Sequence, residues 1–124
     1  MKRLVFDLDD TISRKVDADY SDAEPDMRII SKMREYKVAG FEIIIYTSRN
    51  MRTYNGSVGK INVNTLPVIL HWLTKHDVPH DEVHVGKPWC GHDGFYVDDR
   101  AIRPSEFLNL TYEEIVQLTR RKGE

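Results

Sequence analysis

Four short apolar runs punctuate the chain, and three of them end in a knot of polar side chains. RLVFDL (3–8) closes on Asp7, Asp9 and Asp10, FEIIIY (41–46) runs into Thr47, Ser48 and Arg49, and FYV (95–97) runs into Asp98 and Asp99. Helical patterns alternate with these runs. DMRIISKMREYKV sets Ile29, Ile30, Met33 and Tyr36 at helical spacing, with Pro25 near its start and Gly40 just past its end. LPVILHWLTKH puts Leu66, Ile69, Leu70 and Leu73 on one face, with Thr65 or Asn64 as cap and Pro67 in the first turn, ahead of the run EVHV (82–85). Thr111 and Glu114 have capping-box spacing before Ile115, Val116 and Leu118, which predicts a closing helix. Strands alternating with helices predict an α/β fold: a parallel sheet with right-handed crossovers and helices on both faces.

In such sheets functional side chains gather at the carboxyl ends of the strands, so the three polar clusters are expected along one edge. Asp7, Asp9, Asp98 and Asp99 in one crevice would repel one another without a cation. Oxygen donors with no neighbouring imidazole or thiolate suit Mg²⁺. A carboxylate beside Mg²⁺ serves as a nucleophile toward phosphorus, and a hydroxyl such as Thr47 together with a lysine stabilises the charge that spreads over a transferring phosphoryl group.

Composition narrows the alternatives. At 124 residues the chain is read as a single domain, 1–124. A formal net charge of -2 gives no global field for nucleic acid, and no apolar run approaches the length of a membrane span. Cys90 is the single cysteine, so no internal disulfide forms, and the early strand leaves no room for a signal peptide. The cytoplasm is the expected compartment.

The segment Asp7-Leu8-Asp9-Asp10-Thr11-Ile12 resembles motif I of the haloacid dehalogenase (HAD) superfamily, hhhDxDxT. Thr47 after FEIIIY is similar to motif II, and Asp98-Asp99 after FYV to motif IV. The resemblance spans nearly the whole chain and implies a three-layer Rossmann-like sheet. It implies Asp7 as nucleophile and Mg²⁺ ligand, and Asp9 as the acid that protonates the leaving oxygen and then activates water, its main-chain carbonyl binding the metal. Thr47, with Ser48 beside it, would bind the phosphoryl group, and Asp98 and Asp99 would complete the metal site. Asp10 is read as a turn or helix-start residue with no chemical role. The motif III lysine is Lys87 in VGKPW or, as its rival, Lys60. An acid at Asp9 goes with rapid hydrolysis of the aspartyl-phosphate, which favours a phosphatase.

About 35 residues separate Thr11 from Thr47 and about 39 separate Thr47 from Lys87, too few for a cap domain. Capless members leave the site open to large substrates or to a covering neighbour, so a homo-oligomer is expected. RKVDADYSDAE (14–24) reads as a flap and NMRTYNGSVGKINVN (50–64) as a polar loop, both facing substrate. TSRNM, GKPW and YVDDRAIRP resemble a subgroup of capless HAD phosphatases of bacterial capsule and surface polysaccharide biosynthesis. This implies a sugar or polyol phosphate substrate and a sugar nucleotidyltransferase as pathway partner. Among Arg49, Arg52, Arg100 and Arg103, Arg49 is the leading candidate to bind an acidic part of the substrate.

Two alternatives compete. A phospho-receiver domain shares the acids, hydroxyl and lysine, but places its acidic pair early and its phosphorylated Asp on a middle strand, the reverse of the order here. A non-catalytic HAD-fold binding module would be expected to have lost part of the set Asp7, Asp9, Thr47, Lys87 and Asp98. His80 and His84 do not read as a zinc pair because His84 falls in a strand, and Cys90 lacks a base. Trp72 is expected in the core or a subunit interface, and the RRKGE tail as a solvated end.

Overall fold

Runs such as EIIIY form strands because β-branched and aromatic side chains suit a pleated, buried surface. The computed structural model describes residues 2–14 and 20–120, so the centre of the flap and the final RKGE lie outside the described residues. The chain, read from its length as one domain, divides into two compact units, Met1–Trp89 and Cys90–Glu124.

The first unit holds β1 (Arg3–Phe6), the two-residue strands β2 (Ser13–Arg14) and β3 (Glu24–Pro25), α1 (Met27–Val38), β4 (Glu42–Tyr46), α2 (Val58–Asn64), α3 (Leu66–Lys75) and β5 (Glu82–His84). β1, β4 and β5 form a parallel sheet in the order β1-β4-β5, with Val5 opposite Ile44 and Tyr46 opposite His84. That register aligns the carboxyl ends of all three strands. β2 and β3 pair antiparallel as the stem of the flap that follows the first aspartates.

Strand alternation sorts the sheet residues into two faces. One carries Phe6, Ile43 and Ile45, all buried, as a packed core requires. On the other, Ile44 is buried but Val5 and His84 are exposed. Helices on both faces were expected; within the first unit the second face lines a groove of about 420 Å³ instead.

Asp26 starts α1 by accepting hydrogen bonds from the backbone N–H groups of Arg28 (3.1 Å) and Ile29 (3.4 Å). Ile29, Ile30, Met33 and Tyr36 form its buried face. After Ala39 caps the helix, Gly40 takes a positive φ of 99°, a left-handed turn that favours glycine. On α3 Trp72 is buried, and its indole N–H donates to the Ala23 carbonyl at 2.9 Å, placing it in the core. α2 had been expected as loop. Val58, Gly59 and two asparagines give it poor helix propensity, but Ser57 caps it and Ile61 is fully buried, so packing overrides propensity.

Burial alone would raise the Asp26 carboxyl, but hydrogen bonds from the Arg28 side chain and from the backbone of Ile29 and Arg28 hold it below its ordinary value near 3.8. A lowered folded value stabilises the protein above the ordinary value, and that contribution is lost as pH falls through the lowered one. Asn still caps but carries no charge. Asp26→Asn is therefore expected to cost about 0.5 kcal/mol in urea unfolding at pH 7 and nothing measurable near pH 2.

The second unit contains α4 (Pro104–Asn109) and α5 (Tyr112–Thr119). α5 starts as anticipated: the Glu114 backbone N–H donates to the Thr111 hydroxyl at 3.2 Å, and the Thr111 N–H to the Glu114 carboxylate at 2.9 Å. α4 was not anticipated, although Pro104 in its first turn and Glu106, which accepts from the Arg103 N–H at 2.8 Å, were its signals. The strand expected at FYV does not form. A strand exists through its ladder to a neighbour, and among the described strands none pairs with these residues.

Candidate active site

The site grows from the turn after β1. The Leu8 carbonyl accepts from the backbone N–H groups of Ile12 (2.9 Å), Thr11 (3.2 Å) and Ser13 (3.2 Å), while Leu8 and Ile12 are fully buried. Asp10 takes φ 63° and donates its N–H to the Ser13 carbonyl at 2.7 Å, the turn role expected of it. With the turn anchored underneath, the carboxylates of Asp7 and Asp9 are both partly accessible.

Asp7 has one contact on each oxygen. The Thr11 hydroxyl donates to Oδ2 at 2.9 Å, and the Lys87 ammonium stands 3.5 Å from Oδ1. Lys87 reaches Asp7 because β5 runs parallel to β4 and the chain then turns across the strand ends. The Thr47 N–H donates to the His84 carbonyl (2.9 Å) and the Lys87 N–H to the Thr47 carbonyl (3.2 Å). Gly86, at φ 86°, makes the turn; a Cβ there would lie 3.0 Å from Cγ2 of Val58. Of the two candidate lysines, Lys87 is the one that meets Asp7, while Lys60 is exposed in the first turn of α2.

Thr47 is buried at the end of β4, and its hydroxyl accepts from the Arg49 N–H at 3.0 Å. Ser48 is half-buried in the turn that follows, its carbonyl accepting from the Met51 N–H. Arg49 departs from its expected role. Its side chain is 1% exposed and grips Asp9 through two bonds, Nε to Oδ2 at 3.1 Å and Nη2 to Oδ1 at 2.7 Å. Its guanidinium lies 4.2 Å from the ring centre of Tyr20, and its Nη1 is buried without a hydrogen-bond partner. An arginine so enclosed positions Asp9 rather than greeting a solvent-borne substrate. Arg52 is exposed, 5.8 Å from the centre of the Trp89 ring.

Asp98 and Asp99 belong to the second unit and are exposed. The Arg100 backbone N–H, 3.0 Å from Oδ1 of Asp98, holds that carboxyl below its ordinary value, with Asp99 adding to the effect. Arg100 is exposed and Arg103 occupies the cap position of α4. Among the described residues no three Asp, Glu, His or Cys side chains gather around a common point. His84 bonds to Glu82 at 2.7 Å and His80 to the Val78 carbonyl at 2.7 Å, so neither looks toward a shared metal.

The crystal structure of an MCSG target from Vibrio cholerae is similar over 96% of this chain and 97% of that one, at 59% identity with a TM-score of 0.93. The chain belongs to the same family as that protein. No family model matches the chain, and no curated protein does. For this family member, three contributors lay beyond sequence reasoning. Thr11 was legible as a motif residue but not as a partner of Asp7. Ser13, whose hydroxyl is 3.4 Å from Asp9, and Tyr20, stacked on Arg49, had no signal in spacing at all.

Among the described residues no helix is long and apolar enough to cross a membrane.

Proposed function

We propose that the protein is a Mg²⁺-dependent phosphomonoester hydrolase of the capless HAD type with a three-layer Rossmann-like fold. The observation that carries the reading is the placement of Asp7. It directly follows β1, one oxygen is held by Thr11, the other faces Lys87, and the side chain keeps 36% exposure through which a substrate can approach. Oδ of Asp7 attacks phosphorus, the bond to the substrate oxygen breaks, and that oxygen takes a proton from Asp9. Asp9 then takes a proton from water, whose oxygen attacks the phosphoryl group and frees Asp7 with release of inorganic phosphate. Lys87 offsets the charge of nucleophile and phosphate together. In this reading Thr47 and Ser48, at the carboxyl end of β4, serve the phosphoryl oxygens. Because Arg49 occupies both oxygens of Asp9, the acid–base step requires one of those contacts to be given up as substrate enters.

The prospective metal ligands are all oxygen, and Mg²⁺ is commonly bound through one or two carboxylates with water and substrate phosphate making up the rest. Asp7, the Asp9 carbonyl, Asp98 and Asp99 would hold it. When bound it neutralises charge on the transferring phosphoryl group. The short flap stem is consistent with an open site for a sugar or polyol phosphate of surface polysaccharide synthesis, with a sugar nucleotidyltransferase as pathway partner and the cytoplasm as compartment.

The purified protein is expected to release phosphate from p-nitrophenyl phosphate with Mg²⁺, to lose that activity in EDTA and to regain it on adding Mg²⁺ back. Unchanged turnover in EDTA would remove the metal from the mechanism. Retention of a labelled phosphoryl group for minutes, with little phosphate freed, would instead mark a receiver-like domain.

A further inference from the structure

Asp7 and Asp9 are held by different partners. Asp7 meets Thr11 and Lys87, whereas Asp9 takes Nε and Nη2 of Arg49 at 3.1 and 2.7 Å and the Ser13 hydroxyl at 3.4 Å. The direction of the Asp9 carboxylate therefore depends on Arg49, whose backbone is fixed on both sides. Its N–H donates to the Thr47 hydroxyl at 3.0 Å, and the next residue, Asn50, sits at φ 62° with its side-chain carbonyl accepting from the Thr65 hydroxyl at 2.7 Å. The far end of the side chain has fewer restraints. Its Nη1 is buried without a hydrogen-bond partner, so among the described residues the guanidinium is held by Asp9 and by the ring of Tyr20, whose centre lies 4.2 Å from Cζ.

Tyr20 in turn is seated by the core. It is half-buried and opens a short 3₁₀ turn, Tyr20–Asp22, which the Ala23 N–H closes by donating to the Tyr20 carbonyl at 3.3 Å. Ala23 is buried, and its own carbonyl accepts the indole N–H of Trp72 on α3 at 2.9 Å. A ring face over a guanidinium takes the place of water on that side, and the attraction is greatest where both are desolvated. It also restrains the plane of the fork. A fork turned out of that plane cannot present two parallel N–H bonds to one carboxylate.

We propose that Tyr20 is a positioning residue for proton transfer at Asp9: by holding the plane of the Arg49 fork it fixes where the Asp9 carboxylate points, while Asp7 is positioned without it. The consequence for turnover rests on the phosphatase reading; the coupling of Tyr20 to Arg49 rests on the packing.

Leaving-group chemistry separates this role from a merely structural one. p-Nitrophenolate departs from phosphorus without a proton, whereas phenolate, the stronger base, gains from taking one from Asp9 as the P–O bond breaks. The two esters are otherwise alike in shape, and kcat/KM reports the steps up to that departure. Tyr20→Leu is expected to lower kcat/KM on the order of tenfold for phenyl phosphate and by no more than about twofold for p-nitrophenyl phosphate. Tyr20→Phe, which retains the ring face, should recover most of the loss. An equal fall for both esters marks a structural role and overturns the proposal, as does no fall for either. Urea unfolding tests the coupling without turnover: Tyr20→Leu should lower the midpoint in the wild type and much less in Arg49→Ala, where the fork is gone. Equal shifts in the two backgrounds overturn the coupling. If the wild type releases phosphate from neither ester, the phosphatase reading fails and the role in turnover with it, while the unfolding cycle still decides whether Tyr20 holds Arg49.

Discussion

Asp7→Asn is expected to reduce phosphate release from p-nitrophenyl phosphate on the order of 10³-fold or more, because an amide oxygen cannot form the covalent intermediate. The fold should tolerate the change. Asn matches Asp in size, and its carbonyl can still accept the Thr11 hydroxyl now bound at 2.9 Å. The lost charge contact to Lys87 is long, 3.5 Å, between side chains 19% and 36% exposed, so it is worth at most ~1 kcal/mol. Melting temperature and circular dichroism should therefore stay near those of the wild type while turnover collapses. Turnover within tenfold of wild type would remove Asp7 from the role of nucleophile. A collapse accompanied by unfolding would leave the loss without a chemical reading, and the conservative partner change Lys87→Met, expected to raise KM and lower kcat in a folded protein, would then separate site chemistry from stability.

The parts of this molecule that were legible in its sequence are those governed by local rules. The apolar runs of β1, β4 and β5, the start of α1 just after Pro25 and the cap Thr111 follow from propensity, periodicity and short-range hydrogen bonding. Lys87, preferred over Lys60 for the resemblance of VGKPW to the family's KP context, is the lysine that stands 3.5 Å from Asp7. What stayed hidden depends on partners far away in sequence. α2 has weak local signals and owes its helix to the burial of Ile61. The pairing of Arg49 with Asp9 joins residues forty positions apart, and nothing in TSR says whether the guanidinium turns outward to substrate or inward to a carboxylate. FYV misled for a related reason: its composition is that of a strand, but a strand also needs an edge to join, which composition cannot supply.

Arg49→Ala carries the second large effect, and it acts on stability and turnover together. The guanidinium is 1% exposed, doubly bonded to a carboxylate 26% exposed, and stacked on Tyr20. Removing one member of a buried charge pair costs about 3–5 kcal/mol, and access of water to Asp9 favours the lower end of that range. A loss near 3 kcal/mol should be evident as a fall in melting temperature and in the urea midpoint. Turnover should fall on the order of 10²-fold even where the variant is folded, since Asp9 loses the fork that fixes its orientation and a misplaced acid loses most of its advantage. Arg49→Lys distinguishes charge from geometry. A lysine keeps the positive charge but offers a point in place of a planar fork, so it should recover part of the stability and little of the turnover. If Arg49→Ala instead melted with the wild type and bound substrate more weakly at unchanged kcat, the arginine would be a substrate ligand and not a positioning residue for Asp9.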